Sequence, residues 1–186
     1  NPWDPSVDDS YKMHDMALFN GRYYLYHGAA PAVLLFAPFR LLTNRDLPEN
    51  FALFLFCFGG FLFSCGAFLR LLALAEVKLP APALALMLLA LGTSQCVPYL
   101  LNRVWVYEIA IAGGYFCISG AIFFLTQAMG PERRTRWFAA SGLMFGLAIA
   151  CRPHLGLAGA IAAAAIWLAL DRRAFASFVA ALAMVG

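Results

Sequence analysis

The residues that could do chemistry in this sequence lie at the edges of long apolar runs. Glu108 falls just inside one such run, and Arg152 interrupts another. A carboxylate can act as a general base, and the planar guanidinium of arginine is suited to holding a phosphate. Charged groups are costly within a membrane and usually face a cavity there, which favours a functional role for both residues. Alternatively, the two could pair with each other as a structural salt bridge.

The other candidates are expected on the same side of a membrane as Glu108 and Arg152. They come from separated stretches of the chain and are His14, Asp15, Arg22, His27 and His154. Polar groups at the ends of membrane spans are often simply interfacial, but convergence on one side favours a site. A metal site made of His14, Asp15 and His27 is conceivable, although it matches no established ligand spacing. The sequence contains no Walker loop, dinucleotide-binding glycine pattern, serine nucleophile elbow or HExxH motif.

The elements that must position these residues are strongly apolar. The 186 residues are 63% hydrophobic and 12% charged, with a mean hydropathy of +0.76. An average soluble domain is about 45–50% apolar and about 25% charged. So few charges cannot cover the surface of a water-soluble protein. The composition therefore excludes a soluble enzyme, a nucleic-acid-binding protein and a disordered chain, and it predicts an all-α polytopic membrane protein.

Six apolar runs follow the first fifty residues and predict five to six transmembrane helices, the last of them incomplete. Their approximate ranges are 51–75, 81–101, 105–129, 137–151, 155–170 and 174–186. The fourth and fifth runs have only 15 and 16 residues. They are predicted to form either a tilted or kinked pair of spans or a hairpin that reaches part-way across the membrane.

Residues 1–50 differ from the rest, with six acidic and four basic side chains. An aromatic and basic patch from Arg22 to His27 precedes a short apolar run at 29–39, which cannot cross a hydrocarbon core. We expect an outer-face loop with short interfacial helices that lie on the bilayer. The chain begins without Met and ends inside an apolar run, and we therefore expect it to be an internal fragment of a longer protein.

The basic residues predict the side of the membrane on which each connection lies. Connections after the second and fourth runs contain only Arg103 and Arg152. Those after the first, third and fifth runs contain seven bases: Arg70, Lys78, Arg133, Arg134, Arg136, Arg172 and Arg173. By the positive-inside rule these seven are cytoplasmic, and the N-terminal segment, Glu108 and Arg152 lie on the outer face. Small residues at Gly59-Gly60 and in the Gly142-x-x-x-Gly146 motif predict close helix packing.

Three segments together resemble a known family. Asn1-Pro2-Trp3 with Asn20 to Gly28 and Pro31 resembles a first outer loop, and Val106-Tyr107-Glu108 resembles a second outer-loop region. Gly142 to Ala148, which runs into Arg152-Pro153, resembles the helix that follows and its outer end. On these segments the sequence resembles polytopic glycosyltransferases of the GT-C superfamily, particularly bacterial mannosyltransferase-like members with lipid-linked donors. The resemblance extends over nearly the whole chain.

The resemblance implies an inverting transfer of a sugar from a polyprenyl-phosphate donor to an acceptor on the outer face of the bacterial inner membrane. In that family an aspartate soon after the first transmembrane helix is the general base, and a basic residue or a divalent cation balances the donor phosphate. The chain begins after that expected helix. The aspartate is thus expected upstream of Asn1, with Asp15 as its substitute within the chain, and the fragment alone is expected to be inactive. Glu108 is the second acidic candidate, and the substrate-binding candidates are Arg22, His27, Arg152 and His154.

The expected partners are membrane lipid, the polyprenyl-phosphate donor and other members of a membrane complex, with no nucleic acid. The main alternative is a non-catalytic polytopic membrane subunit or scaffold of a larger complex. A transporter would favour an internal repeat and broken helices near mid-membrane, whereas here the ionisable groups lie at span ends. Substitution of Arg152 or Glu108 separates enzyme from scaffold, because an enzyme would lose transfer without losing its fold.

Overall fold

The computed structural model describes residues 16–20, 22–25, 28–93, 97–102, 106–130, 135–169 and 172–185. Within these ranges the regular secondary structure is helical except for one short antiparallel hairpin. Its strands are β1 (Met16–Phe19) and β2 (Arg22–Leu25). Asn20, at the turn, has a φ of 48°, and the Asn20-Gly21 dipeptide favours tight hairpin turns because both residues tolerate positive φ. The hydropathy pattern did not predict this hairpin.

The helix expected near residues 29–39 is present. A π-helical turn at Ala32–Phe36 leads into α1 (Ala37–Thr43). Helix α1 ends at Asn44, whose φ of 54° is left-handed, a conformation that asparagine tolerates at helix C-termini. Leu41 and Leu42 are each 86% exposed, so this helix directs apolar side chains away from the rest of the protein.

Two helices are long and apolar enough to cross a membrane, namely α2 (Glu49–Leu74) and α5 (Val106–Ala128). At 1.5 Å per residue they measure about 39 Å and about 34 Å, against a hydrocarbon core of about 30 Å. The other helices are shorter: α3 (Ala81–Thr93), α4 (Val97–Asn102), α6 (Thr135–Cys151), α7 (Gly156–Ala169) and α8 (Arg172–Ala183). A 3-10 turn at Pro153–Leu155 separates α6 from α7.

The predicted span at 81–101 contains two described helical segments, and residues 94–96 between them lie outside the described residues. Helix α3 ends at Thr93, and α4 begins at Val97.

Helices α2, α5, α6 and α8 pack side by side in that order. Glycines allow the close approaches: a Cβ at Gly60 would lie 3.2 Å from the Cα of Phe116, and a Cβ at Gly142 would overlap the carbonyl of Phe178. Ser141 adds a buried hydrogen bond, donated by its Oγ to the carbonyl oxygen of Ala121 at 2.9 Å. The prediction that Gly60 and Gly142 serve helix packing is confirmed.

Helices α3 and α7 lie at the periphery. None of the residues of α3 is buried, and α7 exposes Leu157, Ile161, Trp167 and Leu168. Apolar side chains on an outer surface are stable where the surroundings are also apolar, which is the condition within a lipid bilayer. The apolar exposed surfaces of α3 and α7 therefore agree with the high apolar content of the chain.

Candidate functional site

Arg152 lies at the junction between α6 and α7. Pro153 disfavours a helical conformation at the preceding residue, and Arg152 is accordingly extended, with φ −149° and ψ 116°. Its guanidinium Nη2 donates a hydrogen bond to the carbonyl oxygen of Tyr107 at 3.2 Å. The Nε atom is buried and makes no hydrogen bond within the described part of the chain. Arg152 therefore joins α6 to α5 through one nitrogen.

A cleft of about 270 Å³ opens beside this guanidinium. Arg152 and His154 line it from the α6–α7 junction, and α5 supplies one wall through Ile111, Gly114 and Tyr115. His154 is exposed, whereas Arg152 is half-buried. The cleft is thus lined by one arginine, one histidine and otherwise mainly apolar side chains. An anionic group with an apolar body is complementary to such a surface.

Glu108 is the third residue of α5 and is 7% exposed. It follows Tyr107, whose carbonyl receives the hydrogen bond from Arg152, so the acidic and basic candidates meet at the same end of the bundle. The ion pairs among the described residues do not include one between Glu108 and Arg152. The Glu108 carboxylate lies in the first turn of α5, where the positive end of the helix dipole favours a negative charge.

The segment after the hairpin also reaches this end of the bundle. The N–H of Gly28 donates to the carbonyl oxygen of Cys151 at 3.3 Å, and any Cβ at Gly28 would overlap the backbone of Ala150. Pro31 contacts α5, where a Cβ at Gly113 would lie 3.1 Å from its Cγ. Part of the predicted outer loop is therefore docked on the residue that precedes Arg152.

The remaining predicted site residues are only partly covered by the structure. Asp15 and His27 lie outside the described residues, and Arg22 is described only as part of strand β2. The structure therefore brings Arg152 and His154 together at one cleft and places Glu108 next to Tyr107, the residue to which Arg152 is bonded.

Basic residues collect at the opposite end of α5. The guanidinium of Arg70, on α2, lies against Gly130 just beyond α5. Arg136, at the start of α6, lies 4.9 Å from the centroid of the Trp137 ring. Helix α8 is joined to the start of α6 by a hydrogen bond from Ser177 Oγ to the carbonyl oxygen of Thr135 at 3.2 Å. These positions agree with the grouping of bases that the sequence predicted for a single side.

Sequence reasoning missed a cluster of hydroxyl groups between α2 and α5. Ser64 Oγ donates to Ser119 Oγ at 3.0 Å and lies 3.4 Å from the hydroxyl oxygen of Tyr115. The three residues line a second cavity, of about 340 Å³. Tyr115 and Ser119 are four residues apart and so share a helix face, a spacing that could have indicated the cluster. Its partner on α2 could not be inferred from the sequence.

The described residues contain no group of three or more His, Cys, Asp or Glu side chains able to hold a metal ion. The conceivable set of His14, Asp15 and His27 lies outside those residues. Among the described residues of the site, the guanidinium of Arg152 is suited to binding an anion. No protein-family model, curated protein or solved structure matches this chain.

Proposed function

We propose that this chain is the membrane region of a GT-C-type glycosyltransferase, which moves a sugar from a polyprenyl-phosphate donor to an acceptor on the outer face of a bacterial inner membrane. The observation that carries this proposal is the position of Arg152. Its guanidinium donates one hydrogen bond to the carbonyl oxygen of Tyr107. Arg152 also lines a cleft of about 270 Å³ together with His154. Charge-assisted hydrogen bonds from such a fork are well suited to a phosphate.

In the proposed reaction, Arg152 and His154 bind the donor phosphate. A carboxylate accepts the proton of the acceptor hydroxyl as its oxygen attacks the anomeric carbon. The bond from that carbon to the phosphate oxygen breaks, the lipid phosphate leaves with the electron pair, and the configuration inverts. Asp15 is the proposed base, with Glu108 as the second acidic candidate and Arg22 and His27 as further substrate-binding residues.

The proposed membrane arrangement has five to six spans. The apolar lengths of α2 and α5 support it most directly. The grouping of Arg70 and Arg136 at the end of α5 opposite Glu108 supports an orientation in which Arg70 and Arg136 are cytoplasmic. The end that contains Arg152, His154 and the docked Gly28 segment then faces outward, together with the N-terminal segment.

The test is sugar transfer by the full-length protein in lipid nanodiscs, with a panel of polyprenyl-phosphate sugars as donors. Arg152→Ala is expected to lower transfer by about a hundredfold, the usual effect of losing one group that stabilises developing charge. Glu108→Gln keeps the shape of the side chain and is expected to lower kcat if this carboxylate takes the proton. Arg136→Ala is the matched control, because it removes an arginine from the opposite end of the bundle.

The proposal is refuted if the wild-type protein transfers no sugar from any donor, or if Arg152→Ala transfers at the wild-type rate. A second candidate, a non-catalytic membrane subunit of a larger complex, is favoured by the apolar surface of α7, where Leu168 is 83% exposed. That reading predicts that substitutions of Leu157 and Leu168 by Ser disrupt co-purification of membrane partners, while Arg152→Ala has no effect on transfer.

A further inference from the structure

We infer that the hydrocarbon chain of the polyprenyl-phosphate donor lies along one face of α5. It runs from the cleft at Arg152 into the cavity between α2, α3 and α5. We call this path the α5 groove and define it by Ile111, Tyr115, Ile118 and Ile122. The inference rests on the proposed function for the phosphate at its head. It adds a separate binding site for the chain, and hence a basis for selecting lipids by chain length.

The two cavities lie next to each other along α5. The cleft at Arg152 and the cavity around the hydroxyl cluster share two lining residues, Tyr115 and Ile118. Ile111 lines only the first, and Ile122 lines only the second. These four residues are spaced by four, three and four positions, which places them in one stripe on the helix. From Ile111 to Ile122 the stripe is about 16 Å long at 1.5 Å per residue.

The chemistry of the α5 groove changes along its length. Arg152 and His154 lie at one end, while Ala67, Phe68 and Leu71 of α2 and Leu91 of α3 line the other. A molecule with an anionic head and a hydrocarbon chain matches both ends, because its charge meets the guanidinium and its chain meets apolar side chains.

The hydroxyl groups beside the groove do not oppose an apolar occupant. Ser64 is hydrogen-bonded to Ser119 at 3.0 Å and lies 3.4 Å from the hydroxyl of Tyr115. Hydroxyls that are already bonded to one another can border a hydrocarbon chain without the cost of losing water. Ser119 is only 6% exposed, so this cluster is part of the wall and is not an open polar surface.

Helix α3 forms the outer wall of the second cavity through Leu91. No residue of α3 is buried, so this wall rests on the surface of the bundle. A chain attached to the head group could therefore enter the groove sideways from the surrounding lipid, without being threaded from the end.

The test compares two prenyl phosphates that share a head group, the short geranyl phosphate and the long undecaprenyl phosphate. Binding to the full-length protein in nanodiscs is measured for the wild type and for Ile122→Trp, which fills the far part of the groove. Ile161→Trp is the matched control, since Ile161 is exposed on α7 and lines neither cavity. A competition arm with inorganic phosphate shows whether the chain is needed for binding.

We expect Ile122→Trp to weaken undecaprenyl phosphate binding about tenfold, the effect of losing burial for roughly two methylene groups. Geranyl phosphate binding is expected to be unchanged, Ile161→Trp is expected to match the wild type, and inorganic phosphate is expected not to displace the long-chain ligand. A photoreactive group in the distal half of the long chain is expected to label α2 or α5 near Leu71 or Ile122.

Two outcomes would overturn the inference in distinguishable ways. If Arg152→Ala weakens both prenyl phosphates but Ile122→Trp leaves the long-chain affinity unchanged, the head-group site stands and the α5 groove fails as the chain site. If the wild type binds neither prenyl phosphate, the proposed function and the inference fail together.

Discussion

The guanidinium Nη2 of Arg152 lies 3.2 Å from the carbonyl oxygen of Tyr107, to which it donates a hydrogen bond. This bond joins the C-terminal end of α6 to the first turn of α5, over a sequence separation of 45 residues. It fixes one nitrogen of a side chain that lines the cleft with His154, and it leaves further N–H donors of the guanidinium for another ligand. A side chain that the sequence marks only as an interruption of an apolar run is thus held by a specific backbone contact.

Arg152→Lys should separate charge from geometry. Lysine keeps the positive charge but lacks the planar fork, so it cannot bond Tyr107 and hold a phosphate bidentately at the same time. We expect prenyl phosphate affinity to fall about tenfold, corresponding to about 1.4 kcal/mol, with a smaller change in Tm. Equilibrium binding and thermal unfolding in nanodiscs measure the two effects. Wild-type affinity in the lysine variant would show that the fork has no role.

Gly28→Ala should detach the segment after the hairpin from the end of α6. A methyl group at this position would overlap the backbone of Ala150, which cannot move aside as a flexible side chain could. We expect the buried thiol of Cys151 to become reactive toward a membrane-permeant maleimide, as mapped by mass spectrometry. Ala29→Ser, at the neighbouring exposed position, is the control and should leave Cys151 protected. Equal protection in both variants would argue against the docked segment.

Gly142→Ala should weaken the contact between α6 and α8, because the added methyl group would overlap the carbonyl of Phe178. Forcing extra volume into a packed contact costs about 1–3 kcal/mol. Gly156→Ala is the matched control: its nearest neighbours are side-chain atoms of Ile149 at 3.6 Å and 3.7 Å, and alanine favours helix there. Denaturant titration in mixed micelles should show a loss for Gly142→Ala and no loss for Gly156→Ala. Equal stabilities would contradict the close packing of α6 on α8.

Ser141→Ala should destabilise the α5–α6 pair by about 1 kcal/mol, a typical value for a hydrogen bond between membrane helices. Its hydroxyl is fully buried and donates to Ala121, so the substitution leaves the second lone pair of a buried carbonyl unused. Ser177→Ala removes a similar bond to a backbone carbonyl at an exposed site and should cost less, because water can replace the lost donor. The same denaturant titration measures the loss of stability in both variants. A loss for Ser177→Ala that equals or exceeds the loss for Ser141→Ala would contradict the prediction.

Hydropathy alone predicted most helix positions within a few residues. The run at 105–129 corresponds to α5 (Val106–Ala128), and the run at 137–151 lies within α6 (Thr135–Cys151). This success has a simple cause, since a long apolar stretch can satisfy its backbone hydrogen bonds in lipid only by forming a helix. Charge also placed Arg152 and Glu108 at one end, because a charged residue that interrupts apolar runs marks the boundary of a span.

Tertiary structure alone decided which helices are neighbours. Helices such as α2 and α5 are apolar around their whole circumference, so no periodic pattern identifies the face that will be buried. Which helices pair depends on local shape. The missing side chain at Gly60 leaves room for Phe116 of α5, and the one at Gly142 leaves room for the backbone of Phe178. The same docking sets Ser64 against Ser119 and builds the α5 groove. Sequence therefore determined the helices and the ends at which their charges lie, while the partner of each helix depended on the three-dimensional fit of small and aromatic side chains, which no one-dimensional pattern contains.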